Sequence, residues 1–184
     1  MNAPQGYRIE AFEPSKLPPA QLREAALFEQ ALQHERVPED PLMDPEVIEV
    51  RLRADAPGHW RAFAGARDQG GAIVGYSGVF WQTNERGNHH LRWCEIAVAP
   101  AHRRRGVARR LVAWLEDTAL TAGTFTIALE LRAGNAGARA FYAALGYREL
   151  ARVPGYYQGR ESAIRMMRDV ARQPRGDAAP PPAA

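Results

Sequence analysis

The chain has 184 residues, of which 46% are hydrophobic and 24% are charged, with 16 glycines, 14 prolines and one cysteine. This length predicts one compact domain, since globular domains commonly have about 100–200 residues. The composition excludes collagen-like, disulfide-stapled and wholly disordered chains. No apolar run approaches the roughly 18–20 residues of a membrane span, so no membrane partner is predicted. The lone Cys94 forms no internal disulfide and predicts a reducing, cytoplasmic location.

Charge is distributed unevenly along the chain. The formal net charge is +3, and 23 of the 24 basic residues are arginines. Residues 1–50 carry ten acids and four bases, a net charge of −6, whereas residues 51–184 carry eleven acids and twenty bases, a net charge of +9. A basic balance raises nucleic acid as a partner, but the acidic first part of the chain weakens that interpretation. We therefore expect no nucleic acid partner.

The predicted elements follow the order β-α-α-β-β-β-α-β-α-β-β. Alternating and helical apolar spacings predict strands at 7–12, 60–67, 72–82, 91–98, 124–131, 147–153 and 162–167, and helices at 18–36, 45–53, 106–122 and 135–145. Strands joined by hairpins stand beside helical crossovers, so the predicted fold class is α/β with a mixed sheet. A single domain is predicted over residues 1–170, followed by a disordered, Pro- and Ala-rich tail at 171–184.

The stretch at residues 94–111 carries the clearest chemical signal. A strand ends at Val98, a basic turn follows, and a helix begins near Gly106. A helix N-terminus leaves backbone N–H groups unpaired and carries a partial positive charge. Gly106 has no Cβ and Ala108 a small one, so an anion can approach the main chain, and three arginines at 103–105 add donors for phosphate. These features suit a pyrophosphate.

Two sequence patterns occur together. Residues 103–108 match Gln/Arg-x-x-Gly-x-Gly/Ala, a pattern too short to separate a phosphate turn from a solvated helix start, while the P-loop and the dinucleotide fingerprint are both absent. Residues 135–147 match Asn-x-x-Ala-x-x-Phe-Tyr-x-x-x-Gly-Phe/Tyr. The combination resembles the GNAT superfamily of acetyl-CoA-dependent N-acetyltransferases over about residues 72–168, and the pattern is most similar to the bacterial ribosomal-protein and protein N-terminal acetyltransferases. That resemblance implies a central, mixed and V-splayed sheet.

The resemblance also implies how the donor is bound. Acetyl-CoA would be the co-substrate, and no metal would take part. The main chain of Ile96, Ala97 and Val98 would bind the pantetheine arm as an added strand, and the Val98 N–H would hold the oxyanion. Asn135 would hydrogen-bond the same arm. The implied pyrophosphate turn comprises Arg103, Arg104, Arg105, Gly106, Val107, Ala108 and Arg109.

Three residues are candidates for proton transfer. The resemblance implies that Tyr142 is the general acid that protonates the departing thiolate, the alternative being a core tyrosine packed beside Phe141. Glu130, twelve residues before Tyr142, matches the Glu and Tyr arrangement of bacterial ribosomal-protein N-terminal acetyltransferases and is a candidate base. Glu95, on the strand that enters the phosphate turn, is the other candidate. Either carboxylate could instead be an ordinary strand residue that faces water or an arginine.

Adjacent tyrosines, Tyr156 and Tyr157, mark a predicted acceptor site in the loop between the last two strands. The arrangement is similar to that of protein N-terminal acetyltransferases, in which such tyrosines cover the acceptor peptide; a plain hairpin cover is the alternative. The turn at 160–162 is less acidic than in that subfamily, so polyamines, amino acids and aminoglycosides stay open as acceptors. Acidic residues near the first two helices would attract a cationic amine, unless they form an ordinary solvated face. They are Glu35, Glu39, Asp40, Asp44 and Glu46.

The expected function is direct transfer of acetyl from CoA to a primary amine, either a peptide N-terminus or a small cationic amine, in a ternary complex. The alternative is a non-catalytic acetyl-CoA-binding regulatory module, and the presence of both Tyr142 and Glu130 favours the enzyme. Expected partners are acetyl-CoA and an amine acceptor, and the resemblance allows a homodimer. His89 and His90, expected in a loop, have no further ligands at metal spacing, so no zinc site is predicted.

Overall fold

A computed structural model describes residues 6–13, 16–36, 41–53, 59–83 and 89–171. The strands are β1 Arg8–Phe12, β2 His59–Arg67, β3 Ile73–Thr83, β4 His89–Val98, β5 Thr126–Arg132, β6 Arg148–Tyr157 and β7 Glu161–Asp169. The helices are α1 Pro19–Arg36, α2 Pro45–Arg53, α3 Val107–Thr121 and α4 Ala136–Ala144, with a 3-10 turn at Pro100–His102. The α/β class and the order of elements along the chain are confirmed. Residues 172–184, the predicted tail, lie outside the described part.

The chain forms two compact units, Met1–Thr118 and Ala119–Ala184. In the first unit, β1, β2, β3 and β4 pair antiparallel in chain order. In the second unit, β7 pairs antiparallel with both β5 and β6. The mixed and splayed form of the complete sheet and the single domain over 1–170 stay predictions.

Small residues let α3 approach one face of the first unit's sheet. A Cβ added at Gly75 would lie 3.0 Å from the Ala97 carbonyl oxygen, 3.2 Å from a Val107 methyl carbon and 3.3 Å from a Leu111 methyl carbon. Gly75 is thus packed between β4 and the first turns of α3. The buried cluster on this face consists of Tyr7, Ala64, Ala66, Val74, Val98, Val107 and Leu111. This packing fixes the start of α3 against the end of β4.

Polar contacts join α1 to the segment that leads into α2, and join α1 to the end of β2 and the start of β3. The Gln30 amide donates to the Met43 carbonyl oxygen at 2.8 Å, just before α2 begins. The Glu24 carboxylate on α1 accepts from the Arg67 guanidinium at 3.1 Å and from the Ile73 N–H at 3.0 Å. Asp44 Oδ1 accepts from the Glu46 N–H at 2.8 Å, so this carboxylate caps α2.

In the second unit, β5 separates an apolar face from a charged one. Ile127, Leu129 and Leu131 are buried, whereas the intervening Glu130 and Arg132 lie on the opposite face. This alternation follows from the period of two along a strand. The charged face of β5 therefore carries one of the two candidate bases.

Two loop predictions were wrong. His89 and His90 belong to β4, where they pair with Thr83 and Gln82, because β3 supplies backbone partners that extend the ladder past polar residues. The strand β6 continues through Gly155, at φ +62°, to Tyr157, which pairs with Glu161. A register shift between Val153 and Tyr157 absorbs the Pro-Gly dipeptide as a bulge without ending the strand.

We predict that Gly75→Ala lowers the free energy of unfolding by about 1–3 kcal/mol, because the added methyl group overpacks the contact with α3. The matched control is Gly137→Ala in α4, where an added Cβ has 3.8 Å to its nearest neighbour. Because alanine favours a helix more than glycine does, Gly137→Ala should raise the free energy of unfolding by up to about 1 kcal/mol. Urea unfolding measures both changes, and equal midpoints for Gly75→Ala and the wild type would contradict the described packing.

Candidate active site

The turn between β4 and α3 has the backbone geometry of an anion site. Arg104 at φ +58° and Gly106 at φ +83° both adopt left-handed conformations, which only glycine adopts readily. The Arg110 N–H donates to the Gly106 carbonyl oxygen at 3.1 Å, so Gly106 directly precedes the helix. The N–H groups of residues 107–109 then have no acceptor within α3. Such a turn at a helix N-terminus forms a concave set of N–H donors that suits phosphate oxygens.

The arginines of this turn divide into two groups. Arg103 Nε donates to the Val98 carbonyl oxygen at 2.9 Å, and an Arg110 guanidinium nitrogen donates to the Tyr7 carbonyl oxygen at 2.6 Å. These two side chains hold the main chain in place. Arg105 and Arg109 are exposed, like Arg104. Of the predicted phosphate ligands, Arg103 therefore has a structural contact that the sequence did not indicate.

Sequence reasoning missed Tyr7, which directly precedes β1 in the chain. Its side chain contacts His102, just before the turn that leads into α3. The Tyr7 hydroxyl lies 3.0 Å from His102 Nδ1, and the two rings meet edge to face at 5.8 Å between centroids. Tyr7 is itself buried against Val98 and Val107. The only signal in the sequence was the alternating pattern that begins at Tyr7, and it predicted a strand rather than this contact.

The end of β4 presents main-chain groups in two directions. The Ala99 N–H donates to the Val74 carbonyl oxygen at 2.9 Å, which directs Ala99 toward β3. Because directions alternate along a strand, Ile96 and Val98 direct their N–H and C=O groups away from β3, and Ala97 directs its own toward β3. The Val98 N–H thus has the orientation that the predicted oxyanion role needs, whereas the Ala97 main chain faces β3.

In the second unit, Asn135 caps α4. Asn135 Oδ1 accepts from the Ala138 N–H at 2.9 Å, and the Asn135 carbonyl oxygen accepts from the Arg139 N–H at 3.1 Å. An N-cap asparagine satisfies a helix N–H that otherwise has no partner. The side-chain oxygen is therefore used by the helix, and the amide nitrogen is the group with which Asn135 could donate to a ligand.

Tyr142 lies on α4 inside a cluster of three aromatic rings. It is 9% exposed, and its ring meets Phe141 at 5.1 Å and Tyr147 at 5.4 Å between centroids, both in edge-to-face geometry. The Tyr147 N–H also donates to the Tyr142 carbonyl oxygen at 3.0 Å. These contacts fix the ring direction, as a positioned acid and a packed core tyrosine would both require.

The two candidate bases have different surroundings. Glu130 is 9% exposed, and its Oε1 accepts from Arg165 Nε at 2.8 Å across the β5–β7 ladder. It is thus a strand carboxylate that faces an arginine, the alternative raised by the sequence. Glu95 pairs with Gly78 in the β3–β4 ladder, and its side chain lies outside the described part of the chain.

The tyrosine pair lies at the end of β6. The rings of Tyr156 and Tyr157 meet edge to face at 5.1 Å, and the Arg132 guanidinium carbon lies 4.6 Å from the Tyr157 ring centroid. Burial, followed by the neighbouring Tyr156, raises the pKa of Tyr157 to about 12. Its phenol is therefore neutral throughout the physiological range, so it can donate a hydrogen bond but does not act as a phenolate base.

The predicted acidic wall is described only in part. Asp44 caps α2 and Glu46 is exposed in its first turn, whereas Glu39, Asp40 and the Glu35 side chain lie outside the described residues. Within the described ranges, no group of three His, Cys, Asp or Glu residues could hold a metal ion. Over the same ranges, no helix has both the length and the apolar character that crossing a membrane requires.

Comparison with known families decides the identity of the fold. The model of the acetyltransferase (GNAT) family matches residues 24–147, more than half of the chain. The chain belongs to the GNAT family. The match includes the turn before α3, the cap at Asn135 and the aromatic cluster around Tyr142, so the resemblance inferred from the sequence patterns is confirmed.

Individual GNAT proteins extend this result. The ribosomal protein bS18-alanine N-acetyltransferase of Salmonella typhimurium is 46% identical over 74 residues, which are 39% of this chain and 50% of that protein. The chain thus spans about half the length of the curated relatives it matches.

The crystal structure of the Escherichia coli ribosomal-protein-S18-alanine N-acetyltransferase superposes with a TM-score of 0.60 at 23% identity, covering 93% of this chain and 98% of that one. The structure of yncA from Salmonella typhimurium with its cofactor acetyl-CoA gives 0.69 at 18% identity, covering 95% and 99%. Both structures show the GNAT fold.

We predict that Asn135→Asp separates the two roles of Asn135. Aspartate keeps the capping oxygen but lacks the amide N–H donor, so the unfolding free energy should stay within about 0.5 kcal/mol of the wild type. Affinity for acetyl-CoA, measured by isothermal titration calorimetry, should fall. Asn135→Ala removes both groups and should also cost about 1 kcal/mol of stability. Wild-type affinity in the aspartate variant would show that Asn135 only caps the helix.

Proposed function

We propose that this chain is an acetyl-CoA-dependent N-acetyltransferase that transfers the acetyl group directly to a primary amine in a ternary complex. The observation that carries the proposal is the turn before α3, where Arg104 and Gly106 have positive φ and the helix N-terminus presents its N–H groups. This turn lies within the residues that match the GNAT family. A donor that carries a pyrophosphate fits it.

The first unit would hold the donor mainly through its backbone. The N–H groups of residues 107–109 would bind the pyrophosphate, and the exposed Arg104 and Arg105 would add charge. Main-chain groups of Ile96 would pair with the pantetheine arm, since they are directed away from β3, and the Val98 N–H, which has the same direction, would face the thioester. The Val98 N–H would then stabilise the negative oxygen that develops on the thioester carbonyl. The resemblance to the family assigns Asn135 as a further donor to the arm.

Transfer requires two proton movements. The amine nitrogen forms a bond to the acetyl carbon while the bond between that carbon and the CoA sulfur breaks. A base removes one proton from the attacking amine, and Tyr142 donates one proton to the departing thiolate. The fixed direction of the Tyr142 ring between Phe141 and Tyr147 supports this role.

Glu130 is our choice for the base, with Glu95 as the alternative. The Arg165 contact holds the Glu130 carboxylate in one orientation, from which a bound water could carry the amine proton. An α-amine has a pKa near 7.7–8.0, compared with about 10.4 for lysine, so part of it is already neutral at physiological pH. A modest base acting through water is then sufficient.

The acceptor we favour is a peptide N-terminus. Tyr156 and Tyr157 pack against each other at the end of β6 and would cover an extended peptide. The relative from Salmonella typhimurium, whose name states action on an alanine of a ribosomal protein, supports the same acceptor class. A small cationic amine is the alternative, favoured by the exposed acid Glu46 in the first unit. The reaction would take place in the cytoplasm, as the single cysteine suggests.

An acceptor screen tests the proposal. Peptides with different N-termini, polyamines, aminoglycosides and amino acids are incubated with acetyl-CoA, and free-thiol release is followed together with the acetylated product by mass spectrometry. We expect acceptor-dependent thiol release with peptides, and N-terminally blocked peptides should give none. Calorimetric binding of acetyl-CoA without thiol release for every amine would instead indicate a non-catalytic acetyl-CoA-binding module.

We predict that Tyr142→Phe lowers kcat by about 10²–10⁴-fold, the usual effect of losing a general acid. Tyr147→Phe is the matched control, since it removes a hydroxyl from the neighbouring ring of the same buried cluster. It should change kcat little. Steady-state kinetics and acetyl-CoA binding are measured for both variants. Equal kcat values for Tyr142→Phe and the wild type would eliminate the acid role.

A further inference from the structure

Glu161, the first residue of β7, joins two segments of the second unit. One carboxylate oxygen, Oε2, accepts from an Arg132 guanidinium nitrogen at 2.7 Å. The other, Oε1, accepts from the Gly134 N–H at 3.1 Å. Arg132 is the last residue of β5, and Gly134 lies in the connection between β5 and α4, directly before the Asn135 cap. A single carboxylate therefore binds this connection to the start of β7.

The surrounding backbone shows that the approach is close. A Cβ added at Gly134 would lie 3.3 Å from Glu161 Oε1, so a larger residue there would press on the carboxylate. The Ala133 N–H also donates to the Ser162 carbonyl oxygen at 2.9 Å. Three hydrogen bonds thus hold residues 132–134 against residues 161–162.

Arg132 extends this contact to the tyrosine pair. Its guanidinium carbon lies 4.6 Å from the centroid of the Tyr157 ring, and Tyr157 pairs with Glu161 across the β6–β7 turn. The Arg132 guanidinium, followed by the Gly134 N–H, lowers the pKa of Glu161 below its usual value. The contact thus stabilises the charged form of the carboxylate, which binds the guanidinium that lies over the Tyr157 ring.

We propose that Glu161 is a positioning residue that holds the acceptor-site tyrosines in register with the segment that precedes the Asn135 cap. Glu161 acts through Arg132 on Tyr157 and through Gly134 on the turn. The inference rests on the proposed function, because it assigns the tyrosines to the acceptor. Release of the contact should loosen acceptor binding and leave the chemical step intact.

The test compares Glu161→Gln with Glu149→Gln. Glutamine at 161 cannot present two acceptor oxygens, so it cannot hold both Arg132 and Gly134 as the carboxylate does. Glu149 forms an exposed ion pair with Arg139 in the same unit, so its substitution makes the same charge change away from the tyrosines. We expect the KM for a peptide acceptor to rise about tenfold in Glu161→Gln, the effect of losing one charge-assisted hydrogen bond, with kcat within about threefold. Glu149→Gln should change neither.

A double-mutant cycle shows whether the effect passes through the ring. In a Tyr157→Ala background, Glu161→Gln should raise the acceptor KM much less than in the wild type, since the group on which it acts is gone. Equal effects in both backgrounds, or an acceptor KM that responds equally to Glu149→Gln, would overturn the proposal.

A second readout does not depend on turnover. Hydrogen exchange at the Gly134 amide, followed by NMR, should be faster in Glu161→Gln than in the wild type and unchanged in Glu149→Gln. Unchanged exchange would refute the contact even if no acceptor were found. Faster exchange without any amine-dependent turnover would retain the contact and refute the proposed function, so the two failures are distinguishable.

Discussion

The close approach of α3 to the sheet of the first unit is the constraint on which the candidate anion site depends. Gly75 leaves no room for a side chain between the Ala97 main chain and the residues Val107 and Leu111. This contact fixes the distance between the start of α3 and the end of β4. The left-handed conformations of Arg104 and Gly106 can then be kept, because both ends of the turn are immobilised by packing.

In the turn before α3, main-chain and side-chain groups have different roles. Arg103 is predicted from the sequence as a donor for a ligand, but in the structure Arg103 and the neighbouring Arg110 donate to the carbonyl oxygens of Val98 and Tyr7. Phosphate binding would then fall to backbone N–H groups, whose positions do not vary with side-chain rotamers. Backbone N–H groups in a fixed turn lose little conformational entropy when they bind a ligand. Long arginine side chains lose more, because binding restricts their rotamers.

The order of elements was predictable from the sequence because each element has a clear apolar period and a clear boundary. Both α1 and α2 begin near prolines, and β5 alternates apolar and charged residues from Leu129 to Arg132. The predictions failed where distant partners decide the outcome. The bulge at Gly155 carries β6 through a dipeptide that normally ends a strand, and only its pairing with β7 makes this possible.

The same distinction between local spacing and distant partners applies to the site residues. The patterns at 103–108 and 135–147 located the turn before α3, Asn135 and Tyr142, since those positions depend on local spacing. The contacts of Tyr7 with His102, and of Glu161 with Arg132, join residues far apart in the sequence, and no spacing rule reveals them. Asn135 was found, but its role as a helix cap depends on the conformation of the Ala138 backbone.

Tyr7 also shows that residues before the family match contribute to the structure around the turn before α3. The family match starts at residue 24, beyond β1, yet the hydroxyl of Tyr7 contacts His102, directly before the turn that leads into α3. A fragment trimmed to the matched residues would keep every residue of the two family patterns and lose the contact of Tyr7 with His102. The start of the family match and the start of the contacts that hold the turn before α3 therefore differ by an entire strand, β1.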